Sequence, residues 1–122
     1  KFNSMKHNND FRYDLKLGQK GEGYVEKILK LKGDKIEIKT DYQAMKTGNI
    51  FIEYSSRGKD SGLIKTQSIW YAFIISNENI ILISTKKLKK LCRPYLATTR
   101  DVKGGDENTS KGILLPLYKL LE

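Results

Sequence analysis

The sequence predicts a mixed α/β fold, and three observations carry that reading. Two consecutive stretches, 35–41 and 47–53, alternate polar and apolar residues at period two, as half-buried strands do. Trp70 to Ser76 is an unbroken apolar run of strand composition, which reads as a buried strand. Leu17 to Lys32 and Lys86 to Cys92 instead carry apolar residues at helical spacing.

Residues 1–14 are polar and read as a loose arm, with Phe11 and Tyr13 as anchors at its end; residues 15–122 form a single domain. The first helix, Leu17 to Lys32, stops at Gly33 and buries Val25, Ile28 and Leu29. Glu22 lies on or beside that buried face between Gly21 and Gly23. These glycines weaken the helix by roughly 1 kcal/mol each relative to alanine, and they let a ligand or another backbone come close.

In the next stretch Ile36 and Ile38 point one way and Glu37, Lys39 and Asp41 the other. In the strand after it, Phe51, Glu53 and Ser55 oppose Ile50, Ile52 and Tyr54. A short polar segment containing Gly48 joins the two, so an antiparallel hairpin is expected. If Asp41 faces Asn49, antiparallel pairing sets Glu37 opposite Glu53. Facing carboxylates repel, and a bridging divalent cation relieves that repulsion. Slipping the register by one residue would break the facing.

A small, polar, basic loop follows from Ser56 to Gly62, then a short helical turn over Thr66 to Ile69. Trp70 to Ser76 is the buried strand, Asn77-Glu78-Asn79 a turn, and Ile80 to Ser84 another strand. Ser84 or Thr85 caps a helix over Lys86 to Cys92 that ends before Pro94 and turns Leu88, Leu91 and Cys92 inward. Asp101 to Lys111 reads as a mobile loop by composition. Ile113 to Leu121 rejoins the core as a strand, a helix, or one then the other around Pro116.

The chain has 122 residues and a net charge of +9, which favours an anionic partner, nucleic acid first. Lysine, asparagine and isoleucine are all abundant, so AT-rich coding is the competing source of that charge. No apolar run approaches the roughly 20 residues that span a bilayer, and no basic amphipathic helix with a broad apolar face suits a membrane surface. Cys92 is the single cysteine, so no intrachain disulfide forms, and a reducing cytoplasm is expected.

Glu22, Glu37, Asp41 and Glu53 are oxygen donors of the kind that select hard cations such as Mg²⁺ or Mn²⁺. Zinc does not suit the chain, since His7 and Cys92 are far from these acids in sequence. A hard cation activates water and stabilises a phosphate under attack. Lys39 is placed to orient or deprotonate that water, or to neutralise charge on the phosphate. Metal ligation is expected at Glu22, Glu37, Asp41 and Glu53, and catalysis at Glu37, Lys39 and Glu53. No organic cofactor is expected.

These residues resemble the PD-(D/E)xK nuclease superfamily, which includes restriction enzymes and Holliday junction resolvases. Glu37-Ile38-Lys39 looks like its acid-x-lysine strand, and Glu22 like the extra metal-binding glutamate of several members. The wider stretch from Glu37 through Thr47-Gly48-Asn49 and Glu53 to Ser61-Gly62 and Trp70 resembles small phage-borne and bacterial nuclease-like proteins. The resemblance spans roughly residues 15–85. It implies a restriction-endonuclease-like mixed sheet flanked by helices, an endonuclease acting on DNA, branched or junction DNA included, and the cytoplasm of a bacterial or phage-infected cell. The superfamily's usual aspartate is missing upstream, because Asp34 has the wrong parity. Either Glu53 supplies that acid from the next strand, the preferred arrangement, or Asp41 does and Glu53-Tyr54-Ser55 becomes the acid-x-lysine strand with serine replacing lysine.

Arg57, Lys59 and Lys65 follow the acidic strand and suit phosphates flanking the scissile bond. Lys86, Lys87, Lys89 and Lys90, extended by Arg93, make a second basic face. Tyr42, Tyr54 and Tyr71 are candidates to stack on unpaired bases. Cutting both strands of a duplex needs two sites, so a symmetric homodimer is expected. The alternatives are a catalytically inactive nucleic-acid-binding module on the same fold, or a regulator that binds another protein.

Overall fold

A computed structural model describes residues 35–121. The first predicted helix and Glu22 lie outside them. The described chain is mixed α/β, with its strands divided between two sheets. In chain order the strands are β1 (Ile36–Thr40), β2 (Asn49–Ser56), β3 (Lys59–Asp60), β4 (Trp70–Ile74), β5 (Ile80–Ser84), β6 (Asp101–Gly104) and β7 (Ser110–Pro116). The helices are α1 (Ala44–Thr47), α2 (Gly62–Lys65), α3 (Thr85–Cys92) and α4 (Leu117–Leu120), and a 3-10 turn, Arg93–Tyr95, follows α3.

The expected hairpin of the first two strands does not form. β1 runs parallel to β4, setting Glu37 beside Tyr71 and Lys39 beside Phe73, and β5 pairs antiparallel on the far side of β4. β2 belongs to the second sheet, ordered β3, β2, β7, β6, where Glu53 pairs with Gly112. The segment between β1 and β2 is a helical turn rather than a tight hairpin loop. Asp41 Oδ1 accepts the Gln43 N–H at 3.0 Å, and Gly48, at φ 75°, donates its N–H back to the Ala44 carbonyl at 2.8 Å. Glycine suits that left-handed closing position. The turn redirects the chain, so β2 enters a different sheet.

Ile50, Ile52, Phe73, Leu88, Ile113 and Leu115 are buried in the core that the two sheets and α3 share. A smaller apolar cluster, Ala72 with Ile36, Ile38, Trp70 and Ile80, lies on the other face of β4. Burial on both faces is why β4 reads as an unbroken apolar run. α3 starts one residue earlier than expected, at Thr85, and Ser84 is its cap, with Oγ accepting the Lys87 N–H at 3.1 Å. The turn expected over Thr66 to Ile69 sits earlier, as α2.

Within Asp101 to Lys111 only the middle is a loop, with a 3-10 turn over Asp106–Asn108; the flanks are strand, Asp101–Gly104 as β6 and Ser110 and Lys111 as the start of β7. The Phe51 ring lies over Gly104 and Gly112, where an added Cβ would come within 2.9 Å and 2.7 Å of it. These glycines mark close packing inside a sheet, a role that composition cannot separate from a turn. The Ser56 to Gly62 segment is a tight hairpin into β3, with Arg57 and Gly58 both at positive φ, followed by the start of α2. After Ser110–Pro116 the chain passes directly into α4, the strand-then-helix alternative. Among the described residues, no helix is long and apolar enough to cross a membrane.

Candidate functional site

Among the described residues, the first part of β2 has no neighbour on the side away from β7, because β3 pairs only with Ser55 and Ser56. Among the described residues β1 is likewise the edge of its own sheet. A cavity of about 280 Å³ opens at this seam. Lys39 and Thr40 line it from β1, Asp41 from just beyond that strand's end, Ile50 to Glu53 from β2, and Tyr71 and Phe73 from β4. The parallel register explains the arrangement. Glu37 and Lys39 share a face with Tyr71 and Phe73, so β1 turns its charged side toward the gap between the sheets.

Lys39 Nζ stands 3.6 Å from Glu37 Oε2, with both side chains substantially solvent-exposed. Water screens such a pair, so it orients the ammonium group more than it stabilises the fold. Glu37 Oε1 also accepts from the Thr66 hydroxyl at 3.4 Å. Across the seam, Glu53 Oε2 accepts from Ser61 Oγ at 2.8 Å. Gly62 closes over the same residue: it sits at φ 48°, and a Cβ there would fall 2.1 Å from the Glu53 carbonyl oxygen. Only glycine fits so close to backbone. The neighbour that needs Gly62 is therefore Glu53 itself.

No family model, curated protein or solved structure matches the chain.

Tyr71 lines the same cavity from β4. Burial pushes its hydroxyl up to about 12, and the carboxylates of Glu37 and Glu53 push it the same way, with hydrogen bonding to Thr66 acting in opposition. Glu37 and Glu53, which do not pair across strands, thus act on one phenol from separate sheets. Only 2% exposed, Tyr71 is a floor residue and cannot stack on a base. Tyr54 is also committed, donating to Asp101 Oδ1 at 2.6 Å, a bond that holds the Asp101 carboxyl below the usual carboxylate range. Tyr42 is exposed.

Among the described residues, His, Cys, Asp and Glu form no group of three or more able to hold a metal ion. Asp41 and Glu53 nonetheless line one cavity as a pair of oxygen donors. Such a pair suits Mg²⁺, which is commonly held by one or two carboxylates and completes its shell with water and phosphate oxygens. Among the described residues, the bond to Ser61 engages only Oε2 of Glu53.

Arg57, Lys59 and Lys65 are exposed, and none lines the cavity. Lys86, Lys87 and Lys90 are exposed on α3 and border a separate hollow. Ser61, Thr66 and Tyr71 are site residues that the sequence did not single out in these roles. Of these, only Ser61 carried a visible signal, within the Ser61-Gly62 pair of the stretch that resembles small nuclease-like proteins.

Proposed function

We propose that this chain is a divalent-metal-dependent endonuclease of the PD-(D/E)xK type acting on DNA, with its active site in the cavity between β1 and β2. The observation that supports it is the meeting of Lys39 and Asp41 from one sheet with Glu53 from the other at a single cavity. Asp41 and Glu53 are the proposed donors to Mg²⁺ or Mn²⁺, which when bound would activate water and offset charge on the phosphate. Lys39, anchored by Glu37, orients the attacking water or neutralises the developing charge. Ser61 fixes one oxygen of Glu53. Tyr71 and Phe73 floor the cavity and keep bulk water from its base. Arg57, Lys59 and Lys65 hold phosphates on either side of the bond to be cut. The restriction-endonuclease-like fold and a homodimer able to cut both strands belong to the same proposal.

A second reading, a nucleic-acid-binding module without hydrolysis, draws on the lack of a three-residue metal group among the described residues. Cleavage of linear, single-stranded, flap and four-way-junction DNA with Mg²⁺ and with Mn²⁺ separates the two. Under the nuclease reading, wild-type protein cuts at least one substrate, and Lys39→Ala and Glu53→Ala each lose roughly 100-fold or more. Binding without cutting on every substrate, unaffected by both substitutions, would leave the binding module.

A further inference from the structure

We infer that the hollow beside α3 is a binding site for the phosphodiester backbone of a nucleic acid, separate from the cavity. Lys86, Lys89, Lys90 and Arg93 follow one another at the i, i+3, i+4, i+7 spacing, which places them along one side of the helix. Leu88 and Cys92 occupy the opposite side and are buried in the core. Lys119, from α4, joins the four across a hollow of about 860 Å³ that Tyr95 also lines, and no acidic side chain among the described residues borders it.

Lys89 and Lys90, in the last turn, suit the helix dipole, but other features of this stripe are electrostatically unfavourable for the helix that carries it. Like charges four residues apart oppose helix formation. Lys86 stands in the first turn, where the helix dipole disfavours a cation and no acidic residue offsets it. A polyanion laid along the hollow relieves both effects and releases its counterions on binding. The concave shape selects a chain of phosphates over a flat lipid surface, and the cations that line it outnumber the apolar side chains Leu91 and Pro94. Tyr95 offers an aromatic face beside the phosphate path, although Arg100 already lies 6.0 Å from its ring centroid.

The inference does not depend on catalysis, and its test is run without metal. Fluorescence anisotropy with a labelled DNA duplex and the matching single strand, in EDTA over a series of salt concentrations, gives the affinity and its salt slope. The expected result for Lys86→Gln/Lys90→Gln/Lys119→Gln is a tenfold or greater loss of affinity at low salt. Its slope against log salt should also fall by about 0.9 for each cation removed when duplex is the ligand. An Arg57→Gln/Lys59→Gln/Lys65→Gln variant removes equal charge elsewhere, and combining the two sets should add their slope losses. Unchanged affinity and slope in the first variant, with its urea midpoint unchanged, would overturn the inference. Competition by poly-glutamate as strong as that of DNA would overturn it as well. So would loss of binding to phosphatidylserine-containing vesicles with DNA binding intact. Failure to cut DNA in Mg²⁺ would bear on the cavity and leave this result standing.

Discussion

Tyr71 shows what one residue reveals about its surroundings and how little of that its sequence position discloses. It falls within a run with no polar alternation, so periodicity cannot assign it a face. Its register beside Glu37 requires β4, and the influence of Glu53 requires the second sheet. The consequence is measurable. A hydroxyl whose folded value lies near 12 against an ordinary 10 contributes stability that is full below pH 10 and is lost as pH rises toward 12. Burial of the Cys92 thiol, also raised to about 12, begins a similar loss from about pH 9. The Tyr54 hydroxyl, raised by its bond to Asp101, adds to that loss, and Tyr71→Phe keeps the ring while deleting the Tyr71 titration alone. Urea unfolding at successive alkaline pH values should show the variant losing less stability above pH 10 than wild type, by on the order of 1–2 kcal/mol. Parallel curves for the two proteins would contradict the placement of this hydroxyl.

Among the elements, α3 was the most legible. Its cap, its inward residues and its stop before Pro94 all rest on local chemistry, and the helix differs from the expectation by one residue at its start. Locality also sets the expected size of a cap deletion: Ser84→Ala should lower stability by about 1 kcal/mol in denaturant titration, and Ser84→Gly by less. A loss within error for Ser84→Ala would mean that the Lys87 N–H finds another acceptor. The joint between β1 and β2 was misread because Gly48 signals a turn whether it closes a hairpin or a helix. The choice between them lies with Asp41, whose side chain caps the turn, and with strand partners that come much later in sequence. β6 was missed for a related reason. Gly104 looks like a loop residue until the Phe51 ring that covers it is in place.

At the scale of the whole molecule, the α/β class followed from the element types, whereas the division into two sheets did not. That division depends on long-range pairings, of β1 with β4 and of β2 with β7, and period-two patterns do not encode a partner. The candidate site shows the same split. Lys39, Asp41 and Glu53 were singled out because their residue types suit phosphodiester chemistry, and they line one cavity. The route by which they meet differs from the facing pair that the hairpin implied, because Lys39 and Asp41 arrive with one sheet and Glu53 with the other.

That delivery bears on the covalent continuity of the chain. β1 is tied to β4 and β2 to β7, and no ladder of hydrogen bonds joins β1 to β2. The peptide link through α1 is therefore a tether between two independently held walls. If a specific protease site is inserted after the exposed Lys46 and cut, the two fragments should elute together as one folded particle and part only in denaturant. Separation in native buffer would show that the covalent link, and not the packing of the sheets, holds the two walls together. If the fragments stay together, the molecule can be opened at that point and each wall supplied on its own polypeptide, a split protein reassembled through its sheets.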